Sequence, residues 1–252
     1  MTMTDTVQKP RRPALPRPTA MRLAATEYQR LLDVLRSLAP ADWAKATECT
    51  GWDVRAMAAH ALGMVELAAS LREQFRQVRT ARRRGGVFVD ALTALQVDER
   101  AGMSPAQIID RFAARAPKAA RGRSRTPSLA RRRLMPDRQP VGGRDEAWTV
   151  GYLVDVILTR DPWMHRVDIV RVTGARHVLT ADHDAVLVAD VVAEWAQRHG
   201  QAYTLRLSGP AGGTWTSGAG GLQIDMDAVE FCRVLSGRGE PGAGLLATQV
   251  PF

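Results

Sequence analysis

The chain is poor in cysteine, in lysine and in long apolar runs. Only Cys49 and Cys232 occur among 252 residues. Two thiols so far apart exclude a disulfide framework, and they form no CxxC redox or zinc motif. They read as reduced thiols packed as small apolar residues. No stretch approaches the ~20 uninterrupted apolar residues that a membrane helix needs. Even the most apolar run, YLVDVIL at 152–158, carries Asp155. The N-terminal MTMTDTVQKPRRPALPRPT is basic and proline-rich but has no apolar core, so it is not read as a secretory signal. The cytoplasm is the expected compartment.

What is abundant is arginine. The chain has 35 Lys and Arg against 26 Asp and Glu, a net charge of +9, and all but Lys9, Lys45 and Lys118 of those basic residues are Arg. With the many alanines, this suggests a GC-rich bacterial genome. The charge is local: residues 115–138 hold nine basic residues against the single acid Asp137, a net of +8. Such a block invites a nucleic-acid reading, but it lacks interleaved aromatics and any recognised reader motif. It reads as a solvated loop, and neither a nucleic acid nor a membrane is expected as a partner. Apolar residues make up 45% and charged residues 24%. That is the balance of a globular protein, and the length allows one large domain or two small ones.

Residues 1–18 read as a disordered tail. Tyr28, Leu31, Leu32, Leu35 and Leu38 then form one apolar helical stripe, stopped by Pro40. Asp53 can cap a second helix carrying Val54, Met57, Ala61, Met64, Ala68 and Leu71, which could run to Arg84 before Gly85-Gly86. Ser104-Pro105-Ala106-Gln107 starts a third helix with a capping box. An arginine-rich loop at 115–140, broken by prolines, precedes a fourth helical region from about Ala147 to Val172, with a kink or restart expected at Pro162. Four amphipathic helices predict a four-helix bundle over 19–174. Beyond Gly174 a helix at 182–199, alternating Tyr203, Leu205 and Leu207, the segments GTWTSG and LQIDM, and a helix at 227–236 predict a small α+β domain over 175–252. The fold class is therefore mainly α, α+β overall.

Two of the five histidines fall on predicted bundle helices. His60 lies three residues after the core position Met57, and a histidine facing a bundle interior needs a polar partner or a metal. His165 follows Asp161 by four residues, so the two share a helix face. Asp161 and His165 can chelate one ion from one helix, with His60 as a third ligand from another. Two imidazoles and a carboxylate with open positions suit zinc, nickel or ferrous iron in a catalytic site. The same spacing equally allows Asp161 to cap a restarted helix and His165 to be a core histidine. His177, His183 and His199 lie near element ends and read as surface residues.

Trp43, TECTGWDVRAMAAHALG at 47–63 and RDPWMHRVDI at 160–169 resemble the DinB-like superfamily. More narrowly, they resemble the mycothiol-dependent maleylpyruvate isomerase family of actinobacteria. The likeness extends over roughly residues 20–252. It implies a DinB-like metal-binding bundle followed by a small domain likened to sterol-carrier proteins. It implies His60, Asp161 and His165 as ligands of a divalent metal, zinc first with nickel or iron as alternatives, and mycothiol as thiol cofactor. The family position at 161 is often Glu, and here it is Asp followed by Pro162. The LSGRGEP segment at 235–241 resembles a Gly-Arg motif near the thiol site, which makes Arg238 a cofactor-binding candidate.

Neither cysteine belongs to the His/Asp/His set, so the nucleophilic thiol is expected to come from the cofactor. The implied partners are a small-molecule thiol and an electrophilic substrate, and the implied activity is isomerisation or S-transfer. The chain could act as a monomer or a homodimer. Asp168, one turn after His165, could orient that imidazole from behind or pair with an arginine. Trp163 could line the pocket or belong to the core. A second reading keeps the fold but makes the protein a non-catalytic small-ligand or partner binder.

Overall fold

The computed structural model describes residues 9–252. Ten α-helices and five strands occur among them. The long helices α1 (Arg17–Ser37), α2 (Val54–Ala69), α5 (Pro105–Ser124) and α8 (Leu158–Thr173) form the four-helix bundle. Its core holds Leu31, Leu35, Met57, Leu62, Ile108, Phe112 and Ile169, all fully buried. Tyr28 meets Phe112 edge to face at 6.2 Å.

The start of the chain departs from the expected tail. Residues 1–8 lie outside the described residues. From there the chain is held: Arg11 N–H donates to the Ala147 carbonyl at 2.9 Å, and its own carbonyl accepts from Thr149 at 3.1 Å. Arg17 already opens α1, with Pro16 before it. Backbone pairing has outweighed the composition of the segment.

The second predicted helix is two helices. Ser70 adopts an extended backbone and its hydroxyl accepts from Glu73 N–H, so it ends α2 and caps α3 (Leu71–Arg84). The spacing Ser70-x-x-Glu73 carried that signal. A further helix, α4 (Phe88–Asp98), folds back on α3 around Ala81, Ala91 and Leu95. This α3–α4 hairpin stands outside the four long helices.

The arginine-rich stretch is not one loop. α5 continues through Pro117 as far as Ser124, because Ala116, Ala119 and Arg123 keep its inner face buried. Gly122 lets it cross α2 closely: a Cβ there would lie 2.3 Å from the Ala68 carbonyl oxygen. The short α6 (Ser128–Arg132) follows. Then comes a hairpin of β1 (Gln139–Val141) and β2 (Arg144–Glu146), antiparallel across Gly142-Gly143, both at positive φ.

The fourth bundle helix starts as α7 (Val150–Tyr152) and widens into a π-helical turn at Leu153–Ile157 before α8. The irregularity precedes Pro162, which lies inside α8 without restarting it. Leu158 N–H bonds back to the Leu153 carbonyl, so the Val154 carbonyl loses its usual i+4 partner. Pro162 has no N–H for the Leu158 carbonyl. Buried Arg123 supplies both: Nε donates to Val154 O at 2.9 Å and Nη1 to Leu158 O at 2.8 Å.

The C-terminal unit matches its expected elements. α9 (Asp184–His199), β3 (Tyr203–Ser208), β4 (Gly213–Ser217), β5 (Leu222–Asp227) and α10 (Ala228–Leu235) follow one another. The sheet order is β4-β3-β5, with β3 antiparallel to β4 and parallel to β5. Its core, around Trp195, Leu205 and Phe231, is continuous with Leu23 of α1 and Trp163, Met164 and Val167 of α8. The two units thus share packing across α8, the helix that bears Asp161 and His165.

Candidate functional site

A turn delivers the chain to α2. Trp52 N–H bonds to the Cys49 carbonyl at 2.9 Å and Thr47 N–H to the Trp52 carbonyl at 2.9 Å. Asp53 Oδ1 then caps α2 through Ala56 N–H at 2.7 Å. This folds the Trp52 indole onto the second turn of α2, 5.2 Å from the His60 ring and 6.1 Å from the His165 ring. His60 itself is buried in mid-helix.

α8 presents Asp161 and His165 on one face, as their spacing dictates. His165 Nε2 lies 3.2 Å from Asp161 Oδ1, and His60 Nε2 lies 3.5 Å from the same oxygen. The two imidazoles meet edge to face at 5.3 Å. One ligand atom from each of the three residues lies within 4.8 Å of the other two. Among the described residues, neither ring nitrogen of His165 has a hydrogen-bond partner, nor does His60 Nδ1. Buried imidazoles left in this state are chemically unfinished.

The electrostatics follow from the crowding. Burial pushes the Asp161 carboxyl up, but the imidazoles of His165 and His60 outweigh it and hold it well below the usual carboxylate range. Burial lowers the affinity of His165 for a proton, yet Asp161 and Asp168 raise it well above the ordinary value. A carboxylate bracketed by two imidazoles is a site ready for positive charge.

Behind His165 stands Asp168, fully buried, with Oδ2 3.6 Å from His165 Nδ1. Asp168 thus lies near the imidazole without hydrogen-bonding to it, and the pairing that its contacts show is with an arginine, Arg238. Arg238 Nε donates at 2.8 Å to Oδ1, and Nη2 donates at 2.8 Å to Oδ2. Burial raises Asp168, and His165 and Arg238 together bring it below its ordinary value. Arg238 belongs to the turn after α10, so the C-terminal unit reaches the bundle site through this pair.

Three expectations need correcting. Trp163 does not line the site: two residues past Asp161, it projects from the opposite side of α8. There it is buried, stacks on Phe252 at 6.2 Å and donates to Asp184 at 2.9 Å. Trp52 holds the place given to it. Cys49 is no remote packed thiol. It lies half-buried, 3.7 Å from Arg238 Nη2, and its sulfur clusters with His165 and Asp168. The turn through Gly51 brings it there, which no helical periodicity announces. Cys232, by contrast, is buried and its thiol is pushed up by burial.

His183 is not a surface residue but fully buried, with Nε2 2.8 Å from Glu27. His177 and His199 are half-buried, and His199 packs on Trp195 at 4.3 Å. Glu27, His183 and Asp184 form a second acidic group, but Arg166 donates to Glu27 at 2.7 Å and to Asp184 at 2.8 Å. That group is already filled by a guanidinium, whereas the His60/Asp161/His165 group contains none. A narrow apolar cavity of about 10 Å³ opens on Asp161 between Tyr28, Met64, Phe112 and Pro162.

Fold and site together define a four-helix bundle with a His/Asp/His cluster between two of its helices, closed by an arginine from a small α+β unit. The family model of the mycothiol maleylpyruvate isomerase N-terminal domain matches residues 24–170, and the chain belongs to that family. The fold is similar to the crystal structure of the mycothiol-dependent maleylpyruvate isomerase, with a TM-score of 0.57 at 17% identity over 90% of this chain and 92% of that one. A histidine-to-alanine mutant of that isomerase gives a TM-score of 0.53 at 16% identity over the same shares. No curated protein matches. No helix among the described residues is long and apolar enough to cross a membrane.

Proposed function

We propose that the chain is a divalent-metal-dependent enzyme that uses a mycothiol-type thiol to isomerise, or to conjugate, a small electrophilic substrate. One observation carries this reading. His60 and His165 close on a single carboxylate oxygen of Asp161, while His165 has no hydrogen-bond partner at either nitrogen among the described residues. Two imidazoles and one carboxylate fit a borderline cation with open positions, zinc first and nickel or iron next. Bound there, the ion supplies Lewis-acid polarisation and a lowered pKa for a thiol at the site.

The chain's own residues supply the setting. Trp52 covers the two imidazoles and keeps water from them. Asp168 stands 3.6 Å behind the Nδ1 side of the His165 ring, close enough to orient it once the other nitrogen takes a ligand. Arg238 sits at the edge of the site, where its guanidinium is suited to the polar part of a thiol cofactor. In the isomerase form, the thiolate sulfur adds to one carbon of an activated double bond. The resulting single bond rotates, and elimination restores the double bond and the thiolate. In the transferase form the carbon–sulfur bond persists and the thiol is consumed. Family membership supports the thiol, and the name of the similar solved isomerase supports the first form.

The test is metal content by plasma mass spectrometry on wild type and His60→Ala, each purified without chelator, followed by turnover with mycothiol. Near-stoichiometric metal in wild type, little in the variant, and thiol-dependent turnover lost with the metal is the expected result. No metal in either protein after reconstitution with each ion overturns the reading. Thiol consumption per product then separates conjugation from isomerisation.

A further inference from the structure

Apart from buried Arg123, which braces the turn of α8 that bears Asp161, the arginine-rich segments take no part in the site just described. α3 carries six arginines and one acid, a net of +5, and residues 115–138 carry +8, so the rest of a chain of net charge +9 is negative. The two segments adjoin. Gly122 touches Ala68 just before α3, and Arg82 Nη2 lies 3.6 Å from Asp137 at the far end of α3. Among the described residues, no carboxylate lies within 4 Å of Arg72, Arg79, Arg83, Arg121, Arg125 or Arg133, and all six are exposed. This is charge without an internal purpose.

α3 is also reversed in its apolar pattern. Its buried face carries Gln77 and Ala81. Its outer face carries Leu71 and Phe75, 74% and 73% exposed, one turn apart and flanked by Arg72 and Arg79. Leu129 and Leu134, 69% and 55% exposed, stand within the second basic segment. A monomer gains nothing by holding such side chains in water beside guanidiniums.

We propose that this face docks on the surface of an anionic lipid bilayer, with α3 lying in the interface plane, its arginines on headgroup phosphates and Leu71 and Phe75 entering the acyl boundary. Charge complementarity selects an anionic occupant and disfavours a second copy, which would bring the same charge. Apart from Phe75 the exposed apolar groups are leucines, and all of them are scattered among the arginines. A nucleic acid offers leucine nothing to enter, and a shaped protein pocket wants its apolar anchors gathered. A headgroup layer accepts both features, as interfacial basic amphipathic helices do. This surface association is distinct from spanning the membrane, and it revises the expectation that no membrane is a partner. It does not depend on the proposed enzyme activity.

The experiment is co-sedimentation of the full chain with phosphatidylcholine vesicles, with and without about one third phosphatidylglycerol, at salt from about 50 mM to about 0.5 M. Wild type is expected to bind the anionic vesicles at least about tenfold more tightly than the neutral ones, and to be released by salt. Leu71→Ser/Phe75→Ser is expected to lower that partition about tenfold or more at low salt. Arg72→Gln/Arg79→Gln/Arg83→Gln is expected to lower it similarly and to flatten its salt dependence. Circular dichroism checks folding, and if the serine variant fails to fold, the glutamine variant decides. Absence of anionic-vesicle binding overturns the proposal, as do equal binding to neutral vesicles and variants that bind like wild type. Salt-sensitive binding to RNA, to an acidic protein or to a second copy in place of vesicles overturns it too.

Discussion

Arg123 Nη1 donates to the Leu158 carbonyl at 2.8 Å, the carbonyl that Pro162 has left without a donor. The same guanidinium reaches Tyr28 Oη at 3.1 Å and Thr159 Oγ1 at 2.5 Å. It therefore holds the turn of α8 from which Asp161 projects. Arg123→Met is expected to leave the Val154 and Leu158 carbonyls unpaired in the interior. Unsatisfied buried groups cost about 1–3 kcal/mol each, so about 3 kcal/mol in all is expected. At about 2–4 °C per kcal/mol for a chain of this size, Tm should fall by about 10 °C in a melt. A variant that melts like wild type removes Arg123 from this role.

Much of the fold was legible because its signals are local. The Leu31/Leu35 stripe, the Asp53 and Ser104 caps and the β3 alternation each lie within one element. The metal candidates were legible for the same reason, since Asp161 and His165 are one turn apart. Ser70 was overlooked because a continuous apolar stripe masks a cap inside it. The helix through Pro117 ran against the breaker rule because buried Ala116, Ala119 and Arg123 outweigh one lost hydrogen bond. Cys49 and Trp52 reach the site through a turn, and Arg238 through the packing of a separate unit. No periodicity in the chain encodes such meetings.

Cys49 lies beside the candidate centre, so it is the natural rival to a cofactor thiol. If the cofactor carries the nucleophile, Cys49→Ser should keep kcat/KM within about twofold of wild type. The same substitution should leave metal content unchanged. A fall of about a hundredfold or more, with metal retained, moves the nucleophile onto the protein and removes the thiol cofactor from the proposed chemistry.

Asp168 and Arg238 can be separated by what each variant changes. Asp168→Asn weakens the support behind His165 and is expected to cost about 10–100-fold in metal affinity or activity. Arg238→Met leaves Asp168 to His165 alone, so metal content should hold while KM for the thiol rises. Chelator competition measures the first and thiol titration the second. If both variants lose stability and neither moves metal affinity or KM, the pair is only a clasp between the two units.

The Glu194 cluster is expected to contribute to the acid sensitivity of the fold. Tyr152 Oη donates to Glu194 Oε1 at 2.6 Å, Arg160 Nη1 to Oε2 at 2.7 Å, and Arg198 Nη2 to Oε1 at 2.6 Å. Burial alone would raise this carboxyl, but Arg160 and Arg198 outweigh it and hold it at about 2, against 4.5 for a free glutamate. A folded-state value below the unfolded one means that the folded protein binds the proton less readily. The contribution is then complete above pH 4.5 and is lost as pH falls from 4.5 toward 2. Its size is at most about 3 kcal/mol. Urea melts through that window should show midpoint denaturant falling with pH in wild type. Glu194→Gln should be less stable at neutral pH, because Arg160 and Arg198 each lose one of their two carboxylate partners and keep only Asp190 and Glu146, respectively, and its stability should fall less steeply across the same window. Equal slopes in the two proteins would assign the acid sensitivity to other carboxylates.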